Sequence, residues 1–177
     1  MHRLRPDTQR WSLRVDPPWS LEAWRNGARE ALLRDVAPEQ LDWLEGSDAS
    51  LLDAPAVTSA PVQADAGAPN VPRDFLELAA TCLCHRDGQR MALLYRLLWR
   101  ITHGERSVLS NPADADVLRA MAMAQAVRRD THKMKAFVRF REVPGQPDAF
   151  IAWFEPQHHI VDRVAPFFAR RFTGMRW

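Results

Sequence analysis

An α+β domain is the fold class that this sequence predicts, with a helical layer packed on a small antiparallel sheet and an N-terminal strand-helix unit. Three observations lead there. Apolar residues recur at helical spacing from about residue 73 to 135 and again after 160. Two-residue alternation flanks the turn-forming run Pro144-Gly-Gln-Pro-Asp148. The same alternation at Trp11, Leu13 and Val15 marks one strand near the N-terminus. At 177 residues and 46% hydrophobic content the chain suits one folded domain with a real core.

The elements follow in order. Residues 9 to 15 read as a strand stopped by Pro17-Pro18. Ser20 can cap a helix with Leu21, Trp24, Ala28, Ala31 and Leu32 on one side, and Pro38 opens a short second helix carrying Leu41 and Leu44. Residues 1–47 thus form the strand-helix unit, 48–72 a flexible Ala/Pro-rich linker or loop, and 73–177 the α+β core with a basic C-terminal region. In that core Phe75, Leu76, Ala79 and Leu83 lie on one helix, broken near Gly88. Met91 to His103 is apolar on nearly every side, which places it at the centre, and Gly104 ends it. Asn111-Pro112 supplies a cap and first-turn proline for a long helix to about Lys135, with Val117, Met121, Ala124 and Val127 inward.

Strands at 136–143 and 150–155 then form a hairpin. Symmetric closure pairs Val143 with Ala149, Arg141 with Ile151 and Arg139 with Trp153. Val138, Phe140, Phe150, Ala152 and Phe154 face the core, and Arg139, Arg141, Ile151 and Trp153 face away. A last helix, about 160–172, contains Pro166 and is expected to be kinked or split.

Charge is divided along the chain. Residues 1–118 hold 13 Lys or Arg against 17 Asp or Glu, a net of −4; residues 119–177 hold 11 against 5, a net of +6. Such an asymmetry favours an anionic partner at the C-terminal third, phosphate being the commonest. The densest stretch is 127–141, with six Lys or Arg and one His. Arg128, His132 and Lys135 fall at i, i+4 and i+7 of a helix, with Arg129 and Lys133 beside them. Arg139 and Arg141 next to Trp153 can neutralise phosphate and stack a base. The plainer alternative is a solvated face whose tryptophan is shielded by arginine stems.

A second group comprises Glu155, His158 and His159, with Asp162, Asp130 and His132 as further candidates. These residue types can ligate a divalent metal or act as general base on a phosphodiester, but their spacing matches no metal motif. Capping of the last helix is the simpler role. His85 and His103, each at a helix end, suit C-terminal caps. Cys82 and Cys84 are two residues apart, read as buried small residues, and suit a reducing cytoplasm. The chain has no grouped glycines for phosphate cradling, no Gly-x-Ser-x-Gly and no bilayer-length apolar run. No cofactor and no membrane partner is expected.

Four blocks occur in order: Leu93-Leu-Tyr-Arg-Leu-Leu-Trp-Arg100, Val127 to Val143, Trp153-Phe-Glu-Pro-Gln-His-His-Ile160, and Ala165-Pro-Phe-Phe-Ala-Arg-Arg-Phe172. Together they resemble a bacterial family of unknown function associated with DNA repair. Its members resemble the N-terminal region fused to X-class uracil-DNA glycosylases, or stand alone beside a putative DNA-repair radical-SAM protein. The resemblance covers residues 9–46 loosely and 73–177 closely, and implies DNA metabolism but transfers no catalytic residue. The chain lacks the glycosylase's Gly-Glu-x-Pro-Gly and His-Pro-Ser segments, so uracil excision by this chain alone is not expected. The family pattern continues into a further apolar segment beyond Trp177.

The function expected is a noncatalytic DNA-binding or substrate-presenting accessory module in bacterial DNA repair. Arg128, Arg129, Lys133, Lys135, Arg139 and Arg141 would contact phosphates, His132 would add a donor and Trp153 would stack. One alternative is a metal-assisted nuclease or nucleic-acid processing enzyme using Asp130, His132, Glu155 and His158. Another is an adaptor that recruits a glycosylase or radical-SAM protein through the aromatic hairpin face.

Overall fold

The structure, a computed structural model, describes residues 10–46 and 71–176. The expected linker therefore lies outside the described residues except for Val71 and Pro72. Strand β1 (Trp11–Val15) leads to helix α1 (Leu21–Leu33), where the Ser20 hydroxyl accepts from the Ala23 N–H at 3.1 Å, and α1 buries Trp24, Ala28 and Ala31. The expected second helix is instead a single 3₁₀ turn, Pro38–Gln40, followed by strand β2 (Leu41–Glu45). It pairs with β1 in parallel, Trp11 opposite Leu41 through Val15 opposite Glu45. Leu41 and Leu44 three apart suit a helix, but one turn after Pro38 is too short to be stable alone, and pairing with β1 decides the matter. Leu41 is buried and Trp43 packs on Trp24 and Tyr95, so the actual period is two. The N-terminal unit is thus β-α-β, and its sheet is parallel.

Helices α2 (Arg73–Cys82), α3 (Arg90–Thr102) and α4 (Ala115–Phe137) form the helical layer. The expected central helix, α3, buries Met91, Leu93, Leu94, Tyr95, Leu97, Leu98 and Ile101. Val15, Trp24 and Leu41 from the N-terminal unit share one core cluster with α2, α3 and the first half of α4. Arg90, with no exposed surface, ties these parts together. Its guanidinium donates to the Leu83, Asp87 and Pro18 carbonyls at 2.8, 3.1 and 3.0 Å and to Glu45 at 2.6 Å. Gly104, at φ +113°, closes α3 where a side chain would be strained. His103 caps that end as expected, its Nδ1 lying 2.8 Å from the Trp99 carbonyl and its ring stacked on Trp99.

The cap of α4 is Asp114, not Asn111. Asp114 is extended and accepts from the N–H groups of Asp116 and Val117, while Arg100 fixes its carboxylate at 2.7 Å. That guanidinium hydrogen bond, with the helix N–H groups, holds the Asp114 carboxyl down at about 2. Asn111 forms its own turn, accepting from Ala113 N–H. Val117, Ala124 and Val127 are buried as expected, but Met121 is 42% exposed and Ala120 and Met123 point inward instead.

The hairpin consists of β3 (Arg141–Val143) and β4 (Gln146–Ile151), shorter than expected because α4 continues to Phe137. Arg141 does lie opposite Ile151. Val143, however, pairs with Gln146 rather than Ala149, because Pro144-Gly145 makes a two-residue turn with Gly145 at φ +77°. A bulge around Asp148, at φ +66°, takes up the remaining residues. Arg139 and Trp153 lie beyond the paired strands. Arg176 adds an isolated parallel bridge to Ala149 on β4. Helix α5 (Val161–Arg171) runs continuously through Pro166. Its Val164 and Phe168 form a second cluster with Cys84, Val127 and Ile160, against which Val138 and Phe140 pack. Among the described residues no helix is long and apolar enough to cross a membrane.

Candidate nucleic-acid interface

The last three turns of α4 carry Arg128, Arg129, His132, Lys133 and Lys135, all exposed, while Val127 and Asp130 face inward. Successive residues rotate about 100°, so Arg128, His132 and Lys135 share one stripe and Arg129 and Lys133 lie beside it. Two of the cations are held. The Lys135 ammonium sits 4.9 Å above the Phe167 ring. The Arg139 guanidinium donates to the Ala136 and Val138 carbonyls at 2.7 and 3.0 Å, capping the end of α4.

Beyond the helix the expected faces survive the shorter pairing. Val138, Phe140, Phe150, Ala152 and Phe154 are half-buried, whereas Arg139, Arg141, Ile151 and Trp153 are exposed. Trp153 is 88% exposed and Ile151 65%.

Ion pairing divides the molecule as charge divides the sequence. Every ion pair among the described residues joins partners numbered 119 or lower, such as Arg96 with Asp116, Arg100 with Asp114 and Arg119 with Asp87. None of the basic residues from Arg128 onward pairs with an acid among the described residues. One edge of the basic surface is nevertheless mixed. Arg128 and Arg163 line a groove of about 470 Å³ with Asp74 and Glu77 of α2. The unopposed charge therefore runs toward the hairpin rather than toward α2.

The acid-base candidates do not converge. Asp130 is 3% exposed, and its carboxylate accepts the His158 backbone N–H at 2.9 Å. His132, two residues on, lies about 200° around the helix on the solvent side. Glu155 is exposed. The His158 ring stacks on His85 at 4.3 Å, while His159 turns the other way onto Trp19 at 5.0 Å. Among the described residues no group of three or more His, Cys, Asp or Glu could hold a metal ion. Burial first, then neighbouring cations, pushes His85, His158 and His159 below the ordinary imidazole value. These side chains dock the 155–160 segment rather than cap α5. His159 N–H donates to the Cys84 carbonyl at 2.8 Å and Arg86 to the Pro156 carbonyl at 3.1 Å. His85, expected as a helix cap, instead accepts the Asp87 N–H at 3.1 Å. Cys82 and Cys84 are buried and unbridged, and burial pushes the Cys82 thiol up to about 12.

Further residues of this region are visible only in three dimensions or through longer helical spacing. Arg163 and Arg170, seven apart on α5, share a face of that helix, and the i, i+7 spacing was the available signal. Phe137, 66% exposed, ends α4 rather than lying in the expected strand 136–143. Trp19, whose Nε1–H donates to Asp162 at 2.8 Å, had no local signal.

Comparison with curated proteins and with solved structures finds no match. A family model does match residues 88–177, from the α2–α3 turn through the basic helix, hairpin and α5; it describes a domain of unknown function, DUF4130, and the chain belongs to that family.

Proposed function

We propose that this chain is a DNA-binding or substrate-presenting accessory module of bacterial DNA repair, acting in the cytoplasm beside a uracil-DNA glycosylase-like or radical-SAM partner. The observation that carries the DNA-binding part is the lack of acidic partners, among the described residues, for the cations of the last three turns of α4 and of the hairpin. Arginines such as Arg96, Arg100 and Arg119 are neutralised in place, so a run of unopposed charge at one surface suits a polyanion that supplies its own countercharge. The resemblance of the four sequence blocks supports the repair context and the two partners.

Charge-matched variants test this reading. Arg129→Glu with Lys133→Glu changes net charge as much as Arg25→Glu with Arg29→Glu on α1. In anisotropy titrations with labelled DNA, the first pair is expected to weaken binding more than tenfold and the second less than threefold. Equal losses, or no binding by the unmodified protein, would overturn the proposal.

The exposure of Phe137, Ile151 and Trp153 favours a second reading, an adaptor that binds its repair partner through this apolar edge. Co-purification that survives nuclease treatment and is lost in Ile151→Ser supports it.

A further inference from the structure

Trp153 is the most exposed tryptophan among the described residues. Trp24 and Tyr95 are wholly buried, Trp43 stacks inside the core, and Trp19 is hydrogen-bonded and stacked. Trp153 is 88% exposed, and Ile151, on the same outward side of the hairpin and 65% exposed, extends its apolar area. Arg141 lies directly opposite Ile151, with Arg139 two residues before it. An indole in water offers one flat apolar face on the side of the hairpin that carries Arg141.

Resting on the DNA-binding reading above, we infer that the DNA taken by this surface is single-stranded, with an unpaired base stacked on Trp153. Base faces in a duplex are covered by their neighbours and are not open to an external ring, whereas every base of a single strand can be splayed onto one. Duplex readout also needs an element that enters a groove. The hairpin is too short for that, β3 having only three residues. The cations of α4 can follow a flexible backbone leading to the hairpin, where Arg141 takes a phosphate and Trp153 the adjoining base. Because stacking accepts any base, little sequence preference is expected.

The test compares a fluorescein-labelled 12-nucleotide strand with the same sequence as a blunt duplex, at one salt concentration, for the whole chain and three variants. The unmodified protein is expected to bind the single strand at least tenfold more tightly. Trp153→Ala should weaken single-strand binding about 5- to 150-fold, with duplex binding changed less than twofold. Trp153→Phe should keep most of the affinity, and Arg141→Ala should weaken both forms alike. Since Trp153 makes little packing contact, circular dichroism should show all variants folded. Equal or tighter duplex binding, or an unchanged affinity in Trp153→Ala, overturns the single-strand inference and leaves the basic surface standing. Failure to bind either form overturns both.

Discussion

Asp130 separates a structural carboxylate from a catalytic one. Its side chain is 3% exposed and accepts the backbone N–H of His158 at 2.9 Å, joining α4 to the segment that delivers Ile160 into the second core cluster. Asp130→Ala removes a charged acceptor and leaves that part-buried N–H unpaired, a loss of about 2–3 kcal/mol. Asp130→Asn keeps an acceptor oxygen in nearly the same place and forfeits only the charge, costing about 0.5–1.5 kcal/mol. With a urea slope of about 2 kcal/mol/M, the alanine variant should unfold roughly 1–1.5 M earlier and the asparagine variant well under 1 M earlier. Urea titration followed by circular dichroism measures both, and DNA affinity of the asparagine variant should stay within twofold. An alanine variant as stable as the parent, or an asparagine variant as damaged as the alanine, would refute this role.

Three further outcomes are expected. Arg90→Met strands three carbonyls and Glu45, and should cost about 3 kcal/mol or more by urea unfolding; Arg90→Lys, with no fork to span four acceptors, should fall between. His85, His158 and His159 titrate lower in the folded chain than in the unfolded one, so unfolding takes up protons. Stability from these groups is full above the unfolded value of about 6.5 and is lost as pH falls through it toward the folded values; the urea midpoint should drop between pH 7 and 5, and less steeply in His158→Asn. A flat or rising midpoint would contradict the burial of these rings. Cys82 and Cys84 should react with a thiol reagent at pH 8 only on unfolding, the readout being two thiols released together.

What the sequence discloses depends on how local the deciding interaction is. Helix α1, with its Ser20 cap, and α3, apolar almost all round, are legible because each carries its own spacing and stop signal. Strand β2 is not, since Leu41 and Leu44 fit two periods and the choice is made by β1, some thirty residues away. The hairpin is legible in its faces, which alternate regardless of pairing, but not in its full register, which the Pro144-Gly145 turn and the Asp148 bulge reset. At the site, the charge of 127–141 is plain from composition, whereas its lack of acidic partners among the described residues needs three dimensions. Asp130 and His132 are close in sequence, but residues two apart on a helix point about 200° apart, so the spacing alone separates them. Arg90 at a helix start looks like a surface residue; only its four acceptors, from three parts of the chain, explain its burial.

The most direct measurement is the salt dependence of DNA affinity. Six cations, Arg128, Arg129, Lys133, Lys135, Arg139 and Arg141, should give a log-log slope of about −4 on single strands and about −5 on duplex. Replacing Arg139 and Arg141 by alanine should flatten the single-strand slope by about 1.4. A slope near zero, or one that these substitutions leave unchanged, would show that the unopposed charge at the end of α4 and on the hairpin does not bind DNA.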